Sequence, residues 1–97
     1  MEGVSGQEAF YFTAHFKERL EKRLKELGAP LHLILETAAH PEQVLKDETD
    51  SDLVIHQSRF ELDGKRYLCR VVVNFTTTPA TLVSFYLTSK TDKYWKL

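Results

Sequence analysis

The sequence predicts an α+β fold, with two N-terminal helices packed on one face of a curved, mainly antiparallel sheet of three to four strands. Three observations support this prediction. Apolar residues recur at helical spacing near the N-terminus, a second helical segment follows, and the C-terminal half contains alternating runs separated by short turns. The 97 residues suit one domain, 1–97, in which 1–7 is expected to be a disordered tail.

The first helix is predicted from apolar residues at spacings of four, four and three, namely Phe16, Leu20, Leu24 and Leu27. Thr13 is a suitable N-cap because its hydroxyl can accept a hydrogen bond from a free backbone N–H. Gly28 is a natural stop. Pro30 predicts the start of a second helix and Pro41 its end, since the residue before a proline disfavours the helical conformation. A further helical turn is expected at 41–45.

The strands are predicted from alternation and turn residues. Residues 10–13 suit a short strand or extended lead-in, and 46–52 an acidic loop. Asp63-Gly64 separates two alternating runs, 53–62 and 65–75, and this dipeptide is a strong hairpin signal because glycine accepts positive φ. A third run, 81–88, follows a turn around Pro79.

Alternation also predicts which strand residues share a face. One face carries Tyr67, Cys69, Val71, Val73 and Phe75 from the second run, with Val83, Phe85 and Leu87 from the third. We expect the helices to cover this apolar face. The opposite face would carry Leu82 and present Arg70, Ser84, Tyr86 and Thr88 to solvent, as is common for antiparallel sheets.

Composition excludes several classes of protein. The chain is 42% hydrophobic and 28% charged, which is typical of a globular domain and too apolar for disorder. No apolar run approaches the ~20 residues that cross a bilayer, so no membrane association is expected. Residues 1–7 lack the features of a signal peptide, which favours a cytoplasmic location. Cys69 is the single cysteine, so no internal disulfide can form, and its apolar neighbours predict burial.

The charge distribution is uneven although the net charge is −1. Residues 36–52 carry six acidic side chains and one basic, a net −5, whereas 53–97 carry three acidic and seven basic, a net +4. A basic surface of this size suits phosphate groups but is modest for a nucleic-acid binder. The phosphate-loop and HExxH motifs are absent, and the histidines have no metal-ligand spacing, so neither a cofactor nor a metal site is predicted.

The first candidate site is a stripe on the first helix. His15, Arg19 and Arg23 follow one another at intervals of four and therefore lie on one flank of the helix. Arginine can hold a phosphate through paired hydrogen bonds, and histidine can transfer a proton near neutral pH. RNA cleavage through the 2′-hydroxyl needs both functions. The alternative interpretation is a solvated helix flank.

The second candidate site lies near the end of the third strand. Tyr86 can donate a proton or orient a phosphate, Lys93 can neutralise one, and Thr88 shares a face with Tyr86. Arg59 and Arg70 would join this surface if the strand register allows. The alternative is that Tyr86 is simply a half-buried residue of the sheet.

Several short motifs occur in the order found in one superfamily. They are Thr13-Ala14-His15-Phe16 with Arg19 and Arg23, then 40–44 (HPEQV), then the hairpin through 66–73 (RYLCRVVV), then Phe85-Tyr86-Leu87-Thr88 and Lys93-Tyr94-Trp95. Over residues 10–96 the sequence resembles small domains of unknown function in the RelE-like ribonuclease and toxin superfamily, the barnase–EndoU–colicin–RelE group.

The resemblance implies a metal-independent ribonuclease without a cofactor, acting on RNA and paired with an antitoxin. In that case His15 or Tyr86 would act as the acid/base residue. The phosphate would be bound by Arg19, Arg23, Arg70, Thr88 and Lys93. A second hypothesis stays open, in which the chain is a non-catalytic interaction or small-ligand-binding module that uses its sheet to recruit a partner or a second copy of itself.

Overall fold

A computed structural model describes residues 10–27 and 31–96. Its elements in chain order are β1 (Tyr11–Phe12), α1 (Ala14–Leu27), α2 (Leu31–Ala39), β2 (Gln43–Lys46), β3 (Leu53–Leu62), β4 (Lys65–Asn74), β5 (Thr81–Thr88) and α3 (Thr91–Tyr94). The disordered tail predicted for 1–7 and the helix signals at Gly28 and Pro30 lie outside the described residues, as do the side chains of Leu24 and Leu27. The two predicted helices and the three predicted main strands are otherwise confirmed.

The strands form a mixed sheet in the order β1-β5-β4-β3-β2. β1 pairs with β5 in parallel, and the other pairs are antiparallel. The described chain thus has five strands rather than three to four, and the sheet is not strongly curled, contrary to the expected curvature. The helical turn expected at 41–45 is also wrong, because Gln43–Lys46 extends along β3 and completes the sheet as β2.

The first helix begins where its sequence predicts. The Thr13 hydroxyl accepts a hydrogen bond from the Phe16 backbone N–H at 3.0 Å, which is the expected N-cap. The same hydroxyl donates to the Val83 carbonyl at 2.9 Å. One threonine therefore caps α1 and ties the helix to β5.

The core lies between the two helices and one face of the sheet, which we call the core face. Its fully buried members are Phe16, Ile34, Ala38, Cys69, Val71, Val73, Leu82 and Phe85. The rings of Phe16 and Phe85 meet edge to face with centroids 5.1 Å apart. Both helices pack against this face, but on different strands, with α1 along β5 and α2 along β3 and β4.

The β3–β4 hairpin turns through Asp63-Gly64 as predicted. Both residues have positive φ, 53° and 78°, as a two-residue type I′ turn requires. The turn sets Leu62 opposite Lys65, and this register continues without interruption along both strands. This register determines on which face of the sheet each hairpin side chain lies.

The predicted facing of β5 is wrong at its start. Leu82 was expected on the solvent face, but it is fully buried in the core opposite Val73. Val72 pairs with Ser84, so Val83 is an extra residue, a β-bulge between the two pairs. The bulge reverses the alternation, so Leu82 and Phe85 both face the core while Tyr86 stays on the opposite face.

Candidate functional site

A row of polar side chains crosses the face of the sheet away from α1 and α2, which we call the outer face. Four neighbouring strands each contribute one residue: Gln43 from β2, Gln57 from β3, Arg70 from β4 and Tyr86 from β5. The strand register sets each opposite the next. We refer to these four residues as the polar ladder.

Hydrogen bonds join the ladder from end to end. The Gln57 amide Nε2 donates to Gln43 Oε1 at 2.6 Å, and Gln57 Oε1 accepts from Arg70 Nε at 2.9 Å. Arg70 Nη1 donates to the hydroxyl of Tyr86. The guanidinium group is therefore held in a fixed orientation by its neighbours on both sides.

The ladder is buried to an unusual degree for polar groups. Gln57 has no exposed surface and Arg70 is only 6% exposed. No described residue forms an ion pair with Arg70, and no described residue accepts from its Nη2. Burying a guanidinium without a carboxylate is costly. The cation is balanced only by two hydrogen bonds and two aromatic rings, and it therefore favours an anionic ligand.

The C-terminal segment, residues 91–96, lies across the ladder. The ring of Tyr94 has its centroid 4.2 Å from the Arg70 guanidinium carbon, a cation–π distance. The Tyr94 carbonyl accepts from Gln57 Nε2 at 3.2 Å. Gln43 Oε1 accepts from the backbone N–H of Lys96 at 3.2 Å, and Gln43 Nε2 donates to the Lys96 carbonyl. The segment thus helps to bury Arg70 and the glutamines of the ladder.

A cavity of about 600 Å³ opens beside Arg70 on the outer face. Its lining includes four cations, which are Lys46, Arg70, Lys93 and Lys96, and two carboxylates, which are Asp47 and Glu48. The walls also include the apolar side chains of Leu45 and Ile55. The size suits a small molecule and the excess of positive charge suits an anion.

A second cavity of about 410 Å³ lies on the other side of the C-terminal segment, beside Arg59, Arg66 and Trp95. Both of its arginines already have carboxylate partners. Arg59 is bonded to Glu42 at 3.2 Å and stacks on Trp95 at 4.0 Å, and Arg66 lies 4.0 Å from Glu61. This cavity therefore has no unpaired cation comparable to Arg70.

The structure separates the two acid/base candidates. His15 is exposed on α1, the helix whose Phe16 packs against Phe85 on the core face. Tyr86 follows Phe85 in β5 and projects from the outer face. The sheet therefore lies between His15 and Tyr86, and neither of the two cavities described above is lined by both.

The predicted phosphate-binding residues are also divided. Arg19 Nε donates to the Phe85 carbonyl at 2.9 Å, which places it at the edge of β5, and Arg23 lies 3.8 Å from Glu26. Arg70 and Lys93 line the larger cavity. The Thr88 hydroxyl accepts from the Lys90 backbone N–H at 3.0 Å. The geometry thus brings Arg70 into contact with Tyr86 and sets Lys93 beside them, apart from the helix stripe.

Side chains with shifted pKa values lie on both faces of the sheet. Burial raises the pKa of the Cys69 thiol to about 11, which agrees with the predicted packing role. Burial also lowers the pKa of His56, on the core face, despite the opposing effect of its contact with the Ala38 carbonyl. At the cavity, hydrogen bonds from Thr49 lower the pKa of Asp47 and keep this carboxylate charged.

Sequence reasoning missed Gln43, Gln57 and the cover supplied by Tyr94. The position of Gln57 could have been predicted from the register that the Asp63-Gly64 turn sets. With Leu62 opposite Lys65, the residue five before Leu62 must pair with the residue five after Lys65, so Gln57 lies opposite Arg70. Gln43 could not be found in this way because β2 was taken for a helical turn.

Neither a metal-binding cluster nor a helix suited to span a membrane occurs among the described residues, 10–27 and 31–96. They contain no group of three or more His, Cys, Asp or Glu side chains arranged to hold a metal ion. Within the same ranges, no helix has both the length and the apolar character needed to cross a membrane.

Comparison of the chain with protein-family models, with curated proteins and with solved structures gave no match.

Proposed function

We propose that this domain is a ligand-binding module whose outer face takes up a small molecule through an oxyanion group, either a carboxylate or a phosphate. The observation that carries the proposal is the guanidinium of Arg70, 6% exposed and without a carboxylate partner among the described residues, at the wall of a cavity of about 600 Å³.

Arg70 has hydrogen-bonding capacity left for a ligand. A guanidinium has five N–H groups, and the described partners of Arg70 engage two of them, one at Nε and one at Nη1. A planar oxyanion matches the fork of the remaining donors, and charge-assisted bonds of this kind are about twice as strong as neutral ones. An anion would also offset the cost of burying the charge.

The ladder holds the guanidinium in place before a ligand arrives. Gln57 accepts from Nε, and Tyr94 packs on the guanidinium plane, so few rotamers remain to be ordered on binding. Such preorganisation raises affinity by lowering the entropic cost of association. Lys93 and Lys96 at the cavity add longer-range attraction for an anion.

The test is calorimetric titration of the wild type with acetate and inorganic phosphate, repeated with Arg70→Met. The substitution keeps a long side chain but removes the charge, and we expect binding of both anions to fall at least tenfold. Arg66→Met is the matched control, since Arg66 lies on the same strand and the same face but is exposed and paired with Glu61. Its binding should stay within twofold of the wild type.

A second variant keeps the proposal testable if Arg70→Met does not fold. Gln57→Glu places a carboxylate beside Arg70 in a side chain of nearly the same shape, so the internal anion should compete with the ligand and weaken binding at least tenfold. Undiminished anion binding in folded Arg70→Met or Gln57→Glu protein, or its absence in the wild type, would overturn the proposal.

RNA cleavage on the same face is the second candidate function. Its support is the direct contact between the Tyr86 hydroxyl and the Arg70 guanidinium, with Lys93 at the adjoining cavity. A phenol can act as general acid, and two cations can stabilise the charge of a cleaved phosphodiester. Because the sheet separates His15 from this group, the ribonuclease hypothesis narrows to Tyr86 as the acid/base residue.

Metal-free incubation with total RNA tests this second function. Cleavage by the wild type that is lost in Tyr86→Phe and unchanged in His15→Ala supports a ribonuclease on the outer face. Growth of a host expressing each protein reports on toxicity, which the resemblance to RelE-like toxins implies. Intact RNA and normal growth with the wild type would rule out the ribonuclease function and leave ligand binding as the remaining proposal.

A further inference from the structure

We infer that the ligand is an amphipathic monoanion, in which the oxyanion group bound by Arg70 carries a short unbranched aliphatic chain. This inference rests on the proposed function and specifies its ligand. It comes from the residues that lie next to the polar ladder along the strands.

On β2 and β3 the row after the ladder is apolar. Leu45 and Ile55 face each other across β2 and β3, two residues along from the pair Gln43 and Gln57. Both are half-buried, and both line the same cavity as Arg70. Two residues of extended chain span about 7 Å, so an apolar floor of that length begins where the polar ladder ends.

A simple inorganic anion would leave this floor uncovered. An aliphatic chain attached to the anion would lie along Leu45 and Ile55 and remove their exposed surface from water. An aromatic group is less suited, because two rings already lie beside the Arg70 guanidinium carbon, Tyr94 with its centroid at 4.2 Å and Tyr86 at 5.3 Å. The floor therefore favours an alkyl chain over a flat ring.

The far end of the cavity disfavours a second anionic group, because two carboxylates but, among the described residues, only one lysine, Lys46, line it. Asp47 and Glu48 line it, and Asp47 lies opposite Leu53, one row beyond the apolar pair. The Asp47 carboxylate is kept charged by the hydrogen bonds from Thr49, which lower its pKa. A dianion with a carboxylate at each end of its chain would meet this negative charge. We therefore expect the end of the ligand that lies away from Arg70 to be uncharged.

The experiment is a calorimetric series of straight-chain carboxylates, acetate, butyrate and hexanoate, with adipate as the charged counterpart of hexanoate. Burial of one methylene strengthens binding roughly fourfold, so the dissociation constant should fall by about that factor per added carbon until the chain passes the floor. We expect adipate to bind about tenfold more weakly than hexanoate because of the carboxylates at the far end.

Variants separate this inference from the proposed function. Leu45→Ser should flatten the dependence on chain length while acetate still binds. Val44→Ser is the matched control, since Val44 is the preceding residue, 57% exposed and on the other side of the sheet, and it should leave the series unchanged. Arg70→Met should abolish binding of every member.

Each outcome has a defined meaning. If acetate binds through Arg70 but hexanoate binds no better, the inferred aliphatic ligand is wrong and the proposed function stands. If adipate binds as tightly as hexanoate, the discrimination against a second anionic group is wrong. If no carboxylate binds but inorganic phosphate does, the inferred aliphatic carboxylate is wrong and the proposed function stands. If neither the carboxylates nor inorganic phosphate bind, or if all bind Arg70→Met equally well, the proposed function fails together with the inference.

Discussion

The two faces of the sheet come from the same strands but bury different kinds of side chain. The core face consists mainly of fully buried apolar residues beneath α1 and α2, among them Phe85 and Val71, which lie opposite each other, and His56 is its buried polar side chain. The outer face buries Gln57 and Arg70 under a segment of only six residues. Apolar burial stabilises the fold at about 25 cal/mol per Å², whereas buried polar groups give little net stability.

This difference is the reason for placing the proposed function on the outer face. A sheet that needed only stability could cover both faces with apolar side chains, since buried ion pairs and polar networks are often replaceable by well-packed hydrophobes. The outer face instead keeps a linked row of amides and a buried cation. We therefore expect substitutions on the core face to change the free energy of unfolding, and substitutions in the ladder to change ligand binding.

The largest effect is expected from Phe85→Ala on the core face. Phe85 is fully buried against Phe16, so its truncation leaves a cavity and should lower the free energy of unfolding by about 3–5 kcal/mol. Urea denaturation measures the change. Phe75→Ala is the control, because Phe75 is 55% exposed and should cost less than about 1 kcal/mol. Equal losses in both variants would contradict the assignment of the core.

The next effect concerns thiol chemistry on the two faces. With a pKa of about 11, Cys69 holds roughly two-hundred-fold less thiolate near pH 8 than an ordinary cysteine, and its burial blocks access as well. Cys69 should stay unmodified by a disulfide reagent until the protein unfolds. Ser84→Cys in a Cys69→Ser background supplies a half-buried thiol on the outer face, and it should react at least a hundredfold faster. A fast reaction of native Cys69 would show that the core face is open.

A smaller effect is expected in the ladder. Gln57→Ala removes the acceptor for Arg70 Nε and the donor to Gln43 and to the Tyr94 carbonyl. We expect a loss of about 1–3 kcal/mol in the free energy of unfolding, together with faster amide exchange of Trp95. Thr88→Ala is the comparison on the same face, because its hydroxyl bonds only the Lys90 backbone among the described residues. Unchanged exchange at Trp95 would mean that the ladder does not hold the C-terminal segment.

The smallest effect is the pH dependence of His56. Burial lowers its pKa in the folded state below the ordinary value near 6.5, so the unfolded chain takes up the proton first. Its contribution to stability is therefore complete above about pH 6.5 and declines as pH falls toward the folded-state pKa. His56→Asn keeps a donor for the Ala38 carbonyl and should flatten the dependence of the urea midpoint between about pH 7.5 and about pH 5.5. His15→Asn, at an exposed site, should not flatten it.

Local sequence patterns were enough to predict most of the elements. The α1 stripe, the cap at Thr13, the Asp63-Gly64 turn and the alternation in β4 all depend on residues close in sequence. The errors arose where distant pairing decides the structure. β2 extends because β3 is available to pair with it, and the bulge at Val83 forms because Leu82 is buried opposite Val73.

The candidate site was predictable to the same extent. Arg70 and Tyr86 were assigned to one solvent-side face from alternation alone, and their contact follows from the register of β4 and β5. The helix stripe could not be related to them, since helical periodicity orders His15 and Arg19 around α1 but says nothing about the side of the sheet on which α1 packs. The position of Tyr94 over Arg70 depends on the path of the chain end, which no periodic pattern encodes.

The two-residue turn at Asp63-Gly64 has a consequence for how this chain can change over time. The turn fixes the register, because the number of residues between Gln57 and Arg70 determines that both side chains lie on the outer face. Point substitutions at exposed positions such as Glu61 or Arg66 leave that spacing intact. Deletion or insertion of a single residue within either strand would reverse the side-chain direction of one ladder member, so that it faced the apolar core. This hairpin should therefore tolerate substitutions far better than insertions or deletions.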